Sequence, residues 1–524
     1  MSPFHRAILA AFAIAAVAFA GHAAPALAHD HEGHEHVPVP PEKLGTVHFE
    51  ITAAADEQKA FDRAVALLHS FEYEEAETAF RKIADADPQC AMALWGIAMC
   101  NYHPIWGPTT QDDYLRGKAA SEKALQVGGK TDREKAYIEA IATYYRDDDH
   151  LDFPTRKAAY DTAMAGLHER FPDDMEGTIF YALAILGTAP TTDRTFAKQR
   201  KAADLLNAVL PKAPDHPGVA HYLIHSLDYP GLADLALPAA RAYAKIAPSA
   251  PHAQHMPSHI FTRLGLWDEC IASNLAAQRT ARAQMAHTHP GATYFEELHE
   301  LDYLTYAYLQ EGRFDKADEM LKTMRAVTKV NQETASAAYS FAAVPARIAL
   351  ERHQWAEAAK LTPWPAWFSW NKFAWAGALT QAARGIGAAR SGNTQAARAA
   401  LAALDSLHQS LAGAEGYNWA DQVEVQRREV AGWIAHAERR DPEALEKLTA
   451  AADLEDSIDK NPVTPGPLIP AREQLGDLLM DVKRPGDAVA AYKAVLQVAP
   501  GRRNALAGLE AGMRDAAARG SARP

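Results

Sequence analysis

Two short stretches concentrate histidine: HYLIHSLDYP at 221–230 and HAQHMPSHIF at 252–261. His221/His225 and His255/His259 are both HxxxH pairs, and His255 follows His221 by 34 residues. Residues four apart on a helix share a face, so each pair can chelate one ion. A protein metal site wants three or four His, Asp or Glu ligands, with a carboxylate or carbonyl behind them. The candidate ligands are His221, His225, His255, His259 and His299, with Asp302 or Asp228 as ligand or orienter. Pro257 can kink its helix and re-aim His255 and His259. The ion would be one of zinc, copper, iron or manganese. Two other readings stay open. The same side chains suit an organic-ligand pocket, or they pair with carbonyls and carboxylates and serve packing alone.

Other chemistry finds less support. No HExxH, GxSxG or Gly-rich phosphate loop occurs, so a thermolysin-like peptidase, a serine hydrolase and a nucleotide enzyme lose their usual signatures. Glu296, Glu297, His299 and Asp302 could carry general acid–base work. Acidic residues at a helix start also simply suit the helix dipole. Cys90, Cys100 and Cys270 are odd in number and read as small packed apolar groups.

A further histidine cluster, HDHEGHEH, occupies 29–36. It reads as a disordered tail, followed by a Pro-rich spacer to about 45. If cleavage falls after Ala28, His31 is the third residue of the mature chain. His29, His31, His34 and His36 then form a candidate Cu(II) or Ni(II) buffer, against the alternative of a solvated polar leader. Upstream, Ala7 to Ala20 is an unbroken apolar run and Ala26-Leu27-Ala28 a small-x-small cleavage site. Residues 1–28 therefore read as a signal peptide, and the mature chain as exported and periplasmic. No later stretch is long and apolar enough to span a bilayer.

Helices must position these side chains. From 57 onward apolar residues recur at i, i+3, i+4 and i+7. A second pattern overlies the first: a small residue, a large one four on, and a proline eight further. Ala76, Phe80 and Pro88 fit it, as do Ala202, Leu206 and Pro214; Ala239, Tyr243 and Pro251; and Ala488, Tyr492 and Pro500. These offsets resemble the tetratricopeptide repeat (TPR), a helix pair of 34 residues, over about 57–515. The resemblance implies an all-α, right-handed superhelical solenoid of roughly nine to eleven repeats with a concave groove. It divides the chain into a main solenoid at 46–460, a Pro-rich loop at 461–473, and a C-terminal pair and tail at 474–524. Leu468 and Ile469 want burial, so that loop is expected to be ordered. In the TPR family, first-helix positions 2, 5 and 9 line the groove. Here they are His221, Ile224 and Asp228; His252, His255 and His259; and His299, Asp302 and Tyr306. An earlier repeat offers Trp95, with His103 one turn beyond.

The stretch WPAWFSWNKFAW at 364–375 adds aromatics. Trp367 and Trp370 are expected on a helix, either as a packing belt or as an aromatic floor for a ligand. The net charge of −13, with no Lys/Arg block, disfavours nucleic acid. The motifs WGIAMCNYHPIWG, HYLIHSLDYP, APHAQHMPSHIFTRLGLWDE and NPVTPGPLIPARE resemble those of a group of exported bacterial TPR proteins. That likeness implies fold and export, and no activity. The sequence thus points first to an exported TPR protein binding a peptide, protein or other ligand in a His- and aromatic-lined groove, with or without a transition-metal ion. A metalloenzyme on the same wall is the alternative.

Overall fold

A computed structural model describes residues 42–106, 109–146, 151–413 and 417–521. The signal peptide and the histidines of the tail, His29, His31, His34 and His36, lie outside the described residues. No helix among the described residues is long and apolar enough to cross a membrane.

The fold is an all-α TPR solenoid. Helices alternate down the chain in antiparallel pairs, each packed on its sequence neighbours. The only pairing of β type among the described residues is an isolated bridge between Thr293 and Val330. The small residues of the repeat sit where helices meet: Ala76, Ala202 and Ala488 are fully buried. Gly96 shows the closeness required, because a Cβ there would stand 2.4 Å from the Phe80 ring. Between paired helices the chain turns through the left-handed region. Glycine serves this at Gly265, Gly312 and Gly392, whereas Phe71, His353, Arg439 and Lys483 hold the same conformation with a side chain. Prolines then open helices, as Pro217 does for Pro217–Leu227 and Pro251 for Pro251–His255. A proline lacks the N–H that the first helical turn leaves unbonded anyway.

The superhelix winds tightly enough to fill its own interior. The C-terminal helices return to the middle repeats: Arg502 donates to the Tyr306 hydroxyl at 3.2 Å, and Asn504 to the Glu351 carbonyl at 2.9 Å. The Pro-rich segment is ordered and runs through this interior. Tyr303 donates to the Thr464 carbonyl at 3.3 Å, Arg347 donates to the Pro467 and Gly466 carbonyls, and Leu468 and Ile469 are buried. At the histidines the expected concave groove is therefore occupied by the protein's own chain. The His-bearing wall faces packed protein, and His221, His252, His255, His259 and His299 are all buried.

The aromatic stretch is also not the expected helix. Trp364–Pro365 is cis, a 3-10 turn spans Trp370–Phe373, and the α-helix begins only at Ala374. Pro363 and Pro365, on either side of Trp364, lack the N–H groups that a helix would use. Trp367 is 43% exposed, while Trp370 is half-buried and donates to the Pro365 carbonyl at 2.9 Å.

Candidate metal centre

Three consecutive first helices supply the centre. Pro217–Leu227 carries His221 and His225 on one face. The next first helix is broken into Pro251–His255 and Pro257–Leu264, with Met256 between them. Pro257 cannot donate a backbone hydrogen bond, and its ring crowds the carbonyl four residues back. The break turns His252 toward the preceding repeat and His255 and His259 toward the following one. Phe295–Gln310 brings His299.

The result is two trios of imidazoles. In each of His221/His225/His252 and His255/His259/His299, one ring nitrogen per residue lies within 4.8 Å of the other two. In the first trio the Nε2 atoms of His225 and His252 stand 3.0 and 3.1 Å from His221 Nε2. In the second, His255 Nε2 and His259 Nε2 are 3.1 Å apart, and the His299 ring centroid lies 4.6 Å from that of His255. The trios adjoin, with the His252 and His255 ring centroids 6.3 Å apart.

In four of the six rings the outer nitrogen is held by an acceptor. His221 Nδ1 donates to the His69 carbonyl at 2.6 Å. His255 Nδ1 donates to Asn274 Oδ1 at 2.6 Å, an amide oriented by its own donation to the Cys270 carbonyl. His259 Nδ1 donates to Asp228 at 3.0 Å, and His252 Nδ1 to Glu296 at 3.1 Å. A nitrogen that donates carries the proton, so in a neutral ring Nε2 holds a bare lone pair. His221 and His252 therefore aim lone pairs at each other, and so do His255 and His259. Such pairs cannot hydrogen-bond; they converge on a point where a cation belongs. Two nitrogens each about 2.0–2.1 Å from one ion stand roughly 2.8–3.4 Å apart for angles between square and tetrahedral. The observed spacings fall in that window.

A proton is the poorer cation here. Burial, then neighbouring imidazoles, holds His221, His225, His255 and His299 well below the ordinary imidazole value. Burial also lowers His259, against the pull of Asp228. Asp228 itself stays well below the carboxylate range because Lys460 and Arg263 flank it, and burial in turn pushes Lys460 down to about 8. Arg263 reaches Asp228 at 2.8 Å.

An aromatic cap covers the first trio. The Phe71 ring lies 4.4 Å from that of His221 and 5.7 Å from that of His225, and Trp106 lies 6.2 Å from His252. His225 keeps partial exposure, which leaves the first trio its one less enclosed side. Beyond Asp228, a cavity of about 190 Å³ is lined by Arg263, Lys460, Tyr306, Tyr417, Trp419 and Glu455, among others. Burial raises Glu455 there to about 8.

Not every expected residue joins. Asp302 is committed elsewhere: its carboxylate takes two hydrogen bonds from Arg347, a fully buried pair. Asp228 is an orienter behind His259. His252, expected beside an organic ligand, completes the first trio. Trp95 is a core residue with no exposure, packed on Phe49 and Phe180. His103 packs on Tyr73 with ring centroids 4.1 Å apart and donates to the Cys100 carbonyl at 3.1 Å; burial lowers it to about 4. Tyr306 lines the cavity and not the trios. Trp367 and Trp370 pack around Phe368 and Phe341. Cys90, Cys100 and Cys270 are free and buried.

Sequence reasoning missed Asn274, Glu296 as a histidine partner, Tyr303, and a third cluster. In that cluster Glu176 accepts from His69 Nε2 and from His216 Nε2, each at 2.9 Å. The three are spread over 69–216 and share no short motif. His69 closing the helix Ala55–His69, on an otherwise apolar face, was the available signal.

No protein-family model matches the chain, and no curated protein matches it. Among solved structures, human IFIT1 in a dimer with m7Gppp-AAAA is 11% identical, with a TM-score of 0.39, covering 89% of this chain and 96% of that one. Cut9 in the APC/C Cut9–Hcn1 hetero-tetramer is 11% identical, TM-score 0.36, covering 89% and 78%. Yeast Tom70 is 11% identical, TM-score 0.33, covering 88% and 96%. Likeness of this degree says nothing of ligand or activity.

Proposed function

We propose that this protein is a metalloenzyme in which a TPR solenoid encloses two transition-metal ions, one in each histidine trio. The observation that carries the reading is the pair of facing Nε2 lone pairs, each fixed by a hydrogen bond on the opposite ring nitrogen. The filled interior favours an enclosed centre over an extended peptide groove. The outer partners Asp228, Glu296, Asn274 and the His69 carbonyl match what metal-bound histidines usually have behind them. The cavity beyond Asp228 supplies room for an organic substrate, with Lys460 and Glu455 at hand as acid–base groups. Export is part of the reading. It is supported by the apolar run at 7–20 and the site at Ala26–Ala28, which would place the centre in the periplasm. The tail histidines would add weak Cu(II) or Ni(II) binding of their own.

The test is elemental analysis of untagged protein lacking residues 29–36. About two equivalents of a transition metal are expected, one per three-imidazole set. His255→Ala combined with His259→Ala should lower this to about one equivalent. Full stoichiometry in the double variant would sink the assignment.

A further inference from the structure

We infer that the two trios form one dicopper centre whose ligand is dioxygen; this rests on the two-ion reading above. The donor set selects the metal. Six imidazoles converge, and no carboxylate or thiolate enters either trio. Asp228 and Glu296 lie behind Nδ1 atoms on the outer side of the rings, Asp302 is paired with Arg347, and the Cys270 thiol sits 3.4 Å from the Thr262 hydroxyl. Magnesium and manganese want oxygen ligands, and non-haem iron usually wants a carboxylate beside its histidines. Neutral imidazoles suit copper and zinc, and copper stands at the top of the divalent affinity order. Burial adds a preference for the lower charge. A site with no anionic ligand in a low-dielectric interior favours Cu(I), which is content with three nitrogen donors, over a doubly charged ion.

Adjacency selects the ligand. Single copper ions pass one electron at a time. Here two trios hang from one kinked helix, through His252 and His255, with ring centroids 6.3 Å apart. Two Cu(I) ions so placed can give one electron each to a single small diatomic. Dioxygen takes both electrons and becomes peroxide, held by two Cu(II) ions. No proton moves in this step, and the charge of the whole is unchanged. Dioxygen is uncharged and small enough to pass the Phe71–Trp106 cap beside the partly exposed His225.

The experiment loads full-length protein lacking 29–36 with Cu(I) under anaerobic conditions and then admits dioxygen. Uptake of one dioxygen per two copper ions is expected, with a new peroxide-to-Cu(II) absorption band. The oxidised protein should show little Cu(II) paramagnetic resonance signal, because the paired spins couple. His255→Ala with His259→Ala should keep one copper and show neither the band nor uptake of one dioxygen per two copper ions. His225→Gln, a milder change in the other trio, guards against a folding defect and should also abolish the band. Two copper ions with two full, uncoupled signals would overturn the inference, as would two zinc ions with no copper uptake. In both cases the two-ion reading survives. Absence of any metal would overturn both.

Discussion

The molecule holds histidine clusters of two kinds, a few residues apart. At His69–Glu176–His216 a carboxylate sits between two imidazoles and accepts from each at 2.9 Å, while the Tyr222 hydroxyl donates to His69 Nδ1 at 3.0 Å. Donors there meet acceptors, and the protein supplies the negative charge itself. Glu176 is accordingly held far below the ordinary carboxylate range by His216 and His69, despite its burial. In the two trios the acceptors of His221, His252, His255 and His259 lie on the outside, and their inner nitrogens meet other imidazoles. Three buried ligand-type residues in close contact are thus no metal signal by themselves. What separates the regions is which ring nitrogen the protein has already satisfied. The regions are also joined, since the His69 carbonyl holds His221 Nδ1. The self-contained cluster props the first trio.

Removing metal gives the largest contrast. An ion that binds only the folded chain stabilises it by about 2.7 kcal/mol at a hundredfold excess over its Kd, so two ions together add roughly 5 kcal/mol. Denaturant melts with and without a strong chelator should differ by that order. With all six trio histidines changed to Gln, chelator should have no effect. A chelator effect that persisted there would move the metal to the Glu176 cluster and break the comparison. Glu176→Leu comes next. It leaves His69 and His216 without their shared acceptor, and removing one partner of a buried charged network costs about 3–5 kcal/mol. The loss should appear equally in metal-free and metal-loaded melts.

How much of this was legible from the chain alone follows from the range of each interaction. Helix periodicity and the small–large–proline offsets are local, so the TPR fold could be read directly. The HxxxH pairs are local too, and their spacing of one repeat placed them on neighbouring helices. The grouping into trios was not legible. His252 and His255 occupy successive groove positions on one short helix, yet they stand in different trios. Asp302 was a reasonable ligand by register, yet Arg347 from the next first helix claims it. His69, Glu176 and His216 come from three separate repeats, so no window of sequence contains them. The filling of the groove was not legible either, because nothing local shows that the 461–470 segment packs against Tyr303 and Arg347.

Acid separates the two regions by pH window. In metal-free protein, His221, His225, His255 and His299 stay neutral when folded but take up protons when unfolded, near the ordinary value of 6.5. The unfolded state then binds more protons, so stability falls as pH drops below that value. The slope is about 1.4 kcal/mol per pH unit for each such group. Glu176 works in a lower window. Its folded value lies below its ordinary 4.5, so its contribution is complete above 4.5 and is lost only as pH falls further. Chelated protein followed by denaturant midpoints from about pH 8 down to about pH 2 should therefore weaken in two stages. Metal should suppress the first stage until acid displaces it. Glu176→Leu should shrink the second stage, to which the lowered Asp228 also contributes, and leave the first. A single stage near 4.5 would mean that the trios are protonated or paired in some other way.

The smallest expected effect tests whether the Glu176 cluster is as self-sufficient as its geometry indicates. Tyr222 is fully buried and its hydroxyl donates to His69 Nδ1. Tyr222→Phe deletes that donor and keeps the ring, which packs 5.3 Å from His221 and 5.6 Å from His69. One buried hydrogen bond is lost, at a cost of about 1 kcal/mol. His69 Nδ1 becomes an unpaired acceptor, while its Nε2–H still meets Glu176 and its carbonyl still receives His221. Stability should fall slightly and metal stoichiometry should stay the same. Loss of an ion in this variant would show that His69 sets the first trio through its side chain as well as its carbonyl. The two regions would then be one coupled network, in which the tautomer of a histidine that touches no metal decides whether a metal binds.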